Sequence, residues 1–530
     1  MTIENAPSAL PTDALAHHIS DQARRRTGNA VKAMLKFTSK PGVLSLAGGL
    51  PNPSFFSFKS LATTVPSPLL LSPEAPQTTQ INDAPTPQSS PDLASLFARA
   101  LQYSMVDGLP EISDIAKQIV SSVYRPAYPD WTVLPTTGNT DALYKTWMTF
   151  CNPGEGVLAE EWTYSVMLSS ILPLGLRPVP VKADADGMSS VALRNLLENW
   201  DTVAPKGLSR PHTLYLVPVG QNPTGTVMSL QRKREIYSIC SKYDIIIIED
   251  DPYYFMQFDD YGAKANGTAT TASNGNNSWP ESLQPTFLNV DTDGRVIRLD
   301  SFSKTLAPGL RLGWVTCNKL FSDRIYAMAE VTSQAPSGFS QTAVCALWAQ
   351  WGLSGYLSWL EGLRTQYRVR RDAFIDALFE QFDITQDHTA SGNVLTCYDV
   401  PAPGASTPRR ALFSFVAPRG GMFLWVHMHV ASHPRYAGLL ASSGGKHKHR
   451  DEAAGELMQQ LWQTFLENNI VVMSGTTFCT LTYCGADRFG FDRDALTTDH
   501  VRISYSNFEV TQMAEAGRRF GAIVQKFFEL

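Results

Sequence analysis

A chain of 530 residues is too long for one small core and demands two or three domains. With 43% hydrophobic and 18% charged residues it is neither a disordered nor a fibrous sequence, and a net charge of −5 leaves no basic field to hold nucleic acid. Seven cysteines, an odd number with no CxxC pair, exclude a disulfide or zinc framework and point to free thiols in a reducing compartment. No apolar run approaches membrane-spanning length, and the start MTIENAPSALPTDALAHH lacks a basic stretch followed by an apolar one. A cytoplasmic protein that does not contact membranes is expected.

Residues 1 to about 40 read as a polar arm leading into a short helix, with an arginine run at Arg24, Arg25 and Arg26. The sequence AGGLPNP follows at 47–53; its glycines, Gly48 and Gly49, either let backbone approach a ligand closely or make a plain turn. From 60 to 93 the chain turns rich in Pro, Ser, Thr and Gln, the mark of a surface insertion. Similar low-order segments at 261–277, 401–408 and 442–450 also fall between motifs, and all four are expected at loop tips.

Between about 126 and 385, short apolar runs alternate with helix-like segments. TLYLVPV (213–219), DIIIIED (244–250) and RVIRLD (295–300) read as strands of a mainly parallel sheet covered on both faces. Ligands in such sheets gather at the carboxyl ends of strands. The last third carries GMFLW (421–425) and VRISY (501–505), which read as strands of a smaller α/β domain. The expected division is an arm plus the first part of the small domain over 1–125, a large domain over 126–385, and the rest of the small domain over 386–530.

The chemistry-bearing motifs each follow a strand. Thr136 to Leu143 reads as a glycine turn opening a helix, whose first N–H groups favour an anion; Asn139 and Thr140 add donors or simply cap the helix. Tyr164 is suited to stacking on a ring, or to an ordinary core. Asn222 precedes a proline and is held in an extended or turn backbone that aims its amide outward. In Glu249-Asp250-Asp251-Pro252-Tyr253-Tyr254, a carboxylate emerges at the end of the isoleucine strand. Asp250 is preferred as the acting acid, with Tyr253 three positions on, and Asp251 competes. In SFSKTLAPGLRLGW (301–314), Lys304 is flanked by Ser301 and Ser303 and followed by Arg311: hydroxyls and a forked cation for a phosphate around one amine.

The ordered set AGGLPNP, QYS (102–104), GNT (138–140), NPTG (222–225), DDPYY (250–254), SFSK (301–304) and GLRLGW (309–314) resembles the fold type I, class I/II aminotransferases dependent on pyridoxal phosphate (PLP). Within them it resembles the fungal aromatic-amino-acid enzymes of the kynurenine/2-aminoadipate aminotransferase group. The resemblance runs from about Arg24 to the C-terminus, outside the four low-order segments. It implies an α/β fold, a large domain with a mainly parallel seven-stranded sheet plus a smaller α/β domain. It implies that Lys304 is the Schiff-base lysine, Asp250 the partner of the pyridine nitrogen, Tyr253 and Asn222 the pair on the ring oxygen, and Tyr164 the stacking residue. Asn139, Thr140, Ser301, Ser303 and Arg311 are implied as phosphate ligands; many relatives have Ser-Gln where this chain has Asn139-Thr140. Arg502 is implied as the grip on the substrate α-carboxylate, helped by the backbone of Gly49. Tyr103 is implied as the tyrosine lent to the neighbouring subunit's phosphate site, hence a homodimer with shared sites.

The function so implied is ping-pong transfer of an amino group from an aromatic, kynurenine-like or 2-aminoadipate-like amino acid to a 2-oxo acid such as 2-oxoglutarate. Leu50, Phe55, Phe56 and Tyr103 are the expected apolar mouth of the site, and the arginine run 24–26 the expected cation for a dicarboxylic acceptor. A fold type I PLP lyase or synthase would use the same lysine, aspartate and arginine. A PLP-sensing transcription regulator would need a DNA-binding module that about 40 residues before AGGLPNP cannot hold.

Overall fold

The computed structural model describes residues 12–26, 51–58, 60–71, 91–262, 279–389, 392–400, 409–442, 448–484, 489 and 499–530. Gly49 and Leu50, the low-order segment 401–408, and most of the segments 60–93, 261–277 and 442–450 lie outside them.

The larger sheet is built from β1 (Trp131–Thr136), β2 (Gly156–Glu160), β3 (Arg177–Val181), β4 (Thr213–Leu216), β5 (Ile246–Asp250), β6 (Val296–Ser301) and β7 (Gly313–Asn318). Its spatial order is β1-β7-β6-β5-β4-β2-β3. Strands β3, β2, β4, β5 and β6 pair in parallel, and β7 runs antiparallel between β6 and β1. The expected mainly parallel seven-stranded sheet is therefore present. Its central strands are buried on both faces, which is why they read as unbroken apolar runs: Ile245 to Ile248, Val296, Ile297 and Leu299 have no exposed surface.

Helices α1 (Asn139–Phe150), α2 (Ser165–Ile171) and α3 (Leu230–Lys242) connect the parallel strands. Ser229 caps α3 by accepting from the Arg232 N–H. A long helix, α4 (Gly338–Phe379), leads out of this sheet; it breaks at Gly352, where φ is +57° and a β-carbon is disfavoured.

The second sheet has six strands, β8 (Asp383–Thr389), β9 (Gly392–Tyr398), β10 (Ala411–Val416), β11 (Phe423–Met428), β12 (Met473–Ser474) and β13 (His500–Ser504). All of its pairings are antiparallel, in the order β8-β9-β10-β11-β13-β12. Helices α5 (Lys448–Glu467) and α6 (Val510–Phe527) accompany it, and α6 packs along α4. A capping box between Glu509 and Gln512 starts α6.

The segment 12–26 docks at the amino ends of the parallel strands, burying Leu15, Ile19 and Ala23. Ser20 ties it to the C-terminal turn of α1, its N–H donating to Thr149 O and its hydroxyl to Met148 O. The arginine run is therefore not at the carboxyl-end site of its own chain. Arg24 donates to the carbonyls of Ile19, Ala16 and His17, closing off the short helical turns before it. All seven cysteines are buried thiols outside any disulfide. Among the described residues no helix is long and apolar enough to cross a membrane.

Candidate active site

The carboxyl ends of β1, β4, β5 and β6 open into one cavity of about 350 Å³. Strand β13 of the second sheet closes it by supplying Arg502, and β11 by supplying Phe423. Asn139, Thr140, Tyr164, Asn222, Asp250, Tyr253, Ser301, Ser303, Lys304, Arg311 and Arg502, separated by up to several hundred residues in the chain, all line it.

Asp250, the last residue of β5, is buried on the cavity floor. Its Oδ1 accepts from Asn139 Nδ2 at 2.7 Å and its Oδ2 from the Tyr215 hydroxyl at 2.9 Å. Burial pushes its pKa above the usual carboxylate range, opposed by those two hydrogen bonds and by the Arg298 charge. A carboxylate so placed and so fixed can pair with a cationic group in the cavity.

The two adjacent acids point to different sides. Asp251 faces away from the cavity, its Oδ2 held at 2.9 Å by Arg298 Nη1. Arg298, wholly buried on β6, also pairs with Glu249 and Asp300 and lies 4.2 Å over the Tyr124 ring and 5.0 Å over that of Tyr254. The third acid of the run, Glu249, is thus likewise internal, and the acidic triplet is not a solvated surface.

At the opposite wall is an anion cradle. Ser303 N–H and Ser303 Oγ both meet Ser301 Oγ, at 3.0 and 2.8 Å. Arg311 Nη1 reaches Ser303 Oγ at 3.1 Å, and its guanidinium is braced by Pro308 O and Thr137 O. Gly138, with φ at +98°, precedes α1; a β-carbon there would sit 2.6 Å from Arg311 Nη2. The glycine therefore makes room for the arginine and turns the first N–H groups of α1 to the same point. Asn139 stands at the first position of α1, but its side-chain amide is committed to Asp250 and Leu299 O, so only its backbone N–H remains for an anion. Thr140 lines the cavity near the Tyr164 hydroxyl, where it opposes the rise that burial imposes on the Tyr164 pKa.

Lys304 is half-buried between the cradle and Arg502. Burial lowers its pKa, and the positive charges of Arg311 and Arg502 lower it further, which favours a nucleophilic free amine. Arg502 Nη1 donates to Asn222 Oδ1 at 2.8 Å, linking the two sheets across the cavity. Its guanidinium lies 4.2 Å over the Phe423 ring and 4.6 Å over that of Phe478. Its Nε is buried with no hydrogen-bond partner.

Tyr103 is not in this cavity. It is 62% exposed and lines a separate surface hollow with Gln102, Ser104 and Pro336. Gln102 Nε2 donates to Pro51 O, fastening the stretch 51–58 to the same surface, and Phe55 there is 84% exposed. Tyr215, Val217, Phe423 and Phe478 were not singled out by motif. A tyrosine inside the buried TLYLV strand was the available signal for Tyr215, because its hydroxyl must find a partner.

The family Aminotransferase class I and II matches the chain over residues 82–520. The chain belongs to this family. It is a transaminase. An aromatic amino acid aminotransferase of Schizosaccharomyces pombe is 31% identical over 98% of this chain and 100% of its own. An L-tyrosine:2-oxoglutarate aminotransferase of Serpula lacrymans is 33% identical over 90% of this chain and 85% of its own. The crystal structure of an aminotransferase of Candida albicans, 32% identical, superposes with a TM-score of 0.79 over 99% of this chain and 100% of that one. The lyase, synthase and regulator readings give way to the transferase.

Proposed function

We propose that this aminotransferase uses PLP to move the amino group of aromatic amino acids to 2-oxo acids, 2-oxoglutarate among them. The observation that carries it is the single cavity in which an amine (Lys304), a fixed buried carboxylate (Asp250), an anion cradle (Ser301, Ser303, Arg311) and a second, partly unpartnered arginine (Arg502) converge. Two anion grips on either side of one amine suit a phosphate at one end and a substrate carboxylate at the other. The relatives named for aromatic amino acids and for tyrosine with 2-oxoglutarate support the substrate class.

The donor set fits the cofactor. Ser301, Ser303, Arg311 and the first turn of α1 would hold the phosphate, Asp250 the pyridine nitrogen, Tyr253 and Asn222 the ring oxygen, and Tyr164 a ring face. When bound, PLP supplies an aldehyde for amines and a ring that takes up electrons from the substrate Cα. Asp250 keeps the ring nitrogen protonated, so electron uptake there is favoured. Arg502 grips the α-carboxylate bidentately and so turns the substrate Cα–H toward Lys304. The Lys304 amine takes the proton from Cα and holds it for return in the second half of the cycle. Arg502 acts on the part common to all substrates; choice of side chain is left to the mouth of the site.

We further propose that the protein is a cytoplasmic homodimer with the arm and small domain formed by 1–125 and 386–530 around a large domain over 126–385. Gly49, in the AGGLPNP segment, is kept as a backbone contact for the substrate, and Tyr103 as a contribution to the partner's phosphate site. A panel of amino donors with 2-oxoglutarate tests the substrate class. Phenylalanine, tyrosine, tryptophan and kynurenine should lead it; alanine leading the panel would reject the aromatic assignment. Conversion of the cofactor to its amino form by donor alone, seen by absorbance, separates transfer from elimination chemistry.

A further inference from the structure

A second group of chemically capable side chains lies at the other end of the sheet. Asp244 sits just before β5, His212 just before β4 and Glu155 just before β2, so three adjacent parallel strands present them at their amino ends. Six residues of extended chain separate Asp244 from Asp250, roughly 20 Å. Onto this edge the segment 12–26 lays two consecutive histidines. His17 Nε2 is 2.5 Å from Asp244 Oδ2 and His18 Nε2 is 3.1 Å from Asp244 Oδ1. Behind them His18 Nδ1 is 3.1 Å from His212 Nδ1, and His212 Nε2 is 3.0 Å from Glu155 Oε2.

With both rings of this relay neutral, one contact is left without a hydrogen. Glu155 only accepts, so His212 Nε2 carries a hydrogen and, in the neutral ring, His212 Nδ1 is a lone pair. That lone pair takes the hydrogen of His18 Nδ1, which leaves His18 Nε2 a lone pair as well. It faces a carboxylate oxygen of Asp244, acceptor against acceptor. A single cation, a proton or a metal ion, matches every contact, and His18 itself is only 2% exposed where His17, His18 and Asp244 meet.

We propose that His17 Nε2, His18 Nε2 and the Asp244 carboxylate form a divalent-cation site, suited to Zn²⁺, that clips the N-terminal segment onto the large sheet. The three ligand atoms lie within 4.8 Å of one another. Ligands about 2.0–2.1 Å from a tetrahedral Zn²⁺ stand roughly 3.3 Å apart, so small side-chain rotations complete the geometry. Two imidazoles and one carboxylate favour Zn²⁺ over the oxygen-seeking Ca²⁺ and Mg²⁺, and exposed His17 leaves a fourth position for water. With the cation in place every contact is matched: His18 Nδ1–H donates to His212, and His212 Nε2–H donates to Glu155. This is the hydrogen-bonded outer relay that orients a metal-bound histidine. Arg295 Nη1 stands 3.7 Å from Asp244 Oδ1, but its charge is already shared with Asp293 and with Ile245 O.

Zinc chloride titrated calorimetrically into the chelator-treated, cofactor-loaded enzyme near neutral pH tests the site. One Zn²⁺ per chain is expected, with slowed amide exchange over 12–26. Asp244→Asn should weaken binding at least tenfold; asparagine tolerates the positive φ of this position (+54°), so the variant folds. His17→Asn, at an exposed residue, should do the same, and Glu155→Gln should cost about 10- to 100-fold through the relay. Transaminase turnover should be unchanged in all three. No saturable binding, or binding that Asp244→Asn and His17→Asn leave intact, would overturn the proposal.

Discussion

Asp250 and Asp251 are adjacent, both buried and both carboxylates, yet successive side chains of an extended strand point to opposite sides. Asp250 enters the cavity on hydrogen bonds from Asn139 and Tyr215, and Asp251 turns to Arg298. Exchange to asparagine should therefore separate chemistry from stability. Asp250→Asn is expected to lower turnover by about 100-fold or more with the melting temperature little changed. Asp251→Asn should lower the melting temperature by several degrees and leave turnover per folded molecule near that of the parent. Steady-state rates and thermal melts on both variants decide it; equal losses of rate would mean that the assignment within the pair is wrong. The same residue pattern shows what was legible. An acid closing an isoleucine strand announces a ligand end, but which acid faces the ligand depends on where Arg298 sits, and Arg298 comes from a different strand.

At the scale of elements, β5 and β6 are held together by more than their ladder. Arg298 on β6 pairs with Glu249, Asp251 and Asp300, all of them buried. Arg298→Met keeps the volume but leaves three buried carboxylates without their cation, and is expected to cost about 3–5 kcal/mol in denaturant unfolding. Strand β2 ends on a different kind of acid. Glu160, 2% exposed, is pushed by burial from 4.5 up to about 7, with the Gln221 amide at 2.8 Å and the Met188 N–H opposing the rise. A carboxyl whose folded pKa is raised holds its proton more tightly when folded. Its contribution is complete below about 4.5 and is lost as pH climbs through about 7. The parent should thus lose on the order of 2–3 kcal/mol from this group between about pH 5 and about pH 8. Glu160→Gln, which keeps the acceptor for Gln221, should flatten that part of the profile. Unfolding curves at the two pH values check it; an unchanged slope would show that Glu160 is ionised in the fold.

For the molecule as a whole, the cavity takes residues from both sheets: Lys304 and Asp250 from the parallel one, Arg502 and Phe423 from the antiparallel one. The Arg502–Asn222 hydrogen bond spans them. Tyr103 and Phe55, by contrast, stand exposed on a surface tied together by Gln102, outside this chain's own cavity. Their exposure is expected to end in a homodimer in which each chain lends this surface to the other's site. Sedimentation at assay concentration should give a dimer, and Tyr103→Phe should weaken cofactor retention about tenfold or less, as the loss of one hydrogen bond does. A fully active monomer would refute the shared site. Arg24 is spent on carbonyls of its own segment at the far end of this chain's sheet. Removing residues 1–26 should then cost stability rather than discrimination between 2-oxoglutarate and phenylpyruvate.

The sequence by itself determined the reaction class. SFSK with GLRLGW, NPTG and DDPYY each carry the turn chemistry, strand end and residue types that one cofactor-holding site needs, because such motifs are local and survive in linear order. It also determined the parallel sheet, since strands buried on both faces must be apolar throughout. Only the tertiary structure decided what each side chain is free to do. Asn139 turned from the phosphate end to Asp250, Tyr215 became a brace for that carboxylate, and Phe423 and Phe478 came to flank Arg502. The same is true of His17 and His18 meeting Asp244 more than two hundred residues away. Hydrogen bonds and ring contacts of this kind join different strands at fixed distances, and no spacing along the chain encodes them.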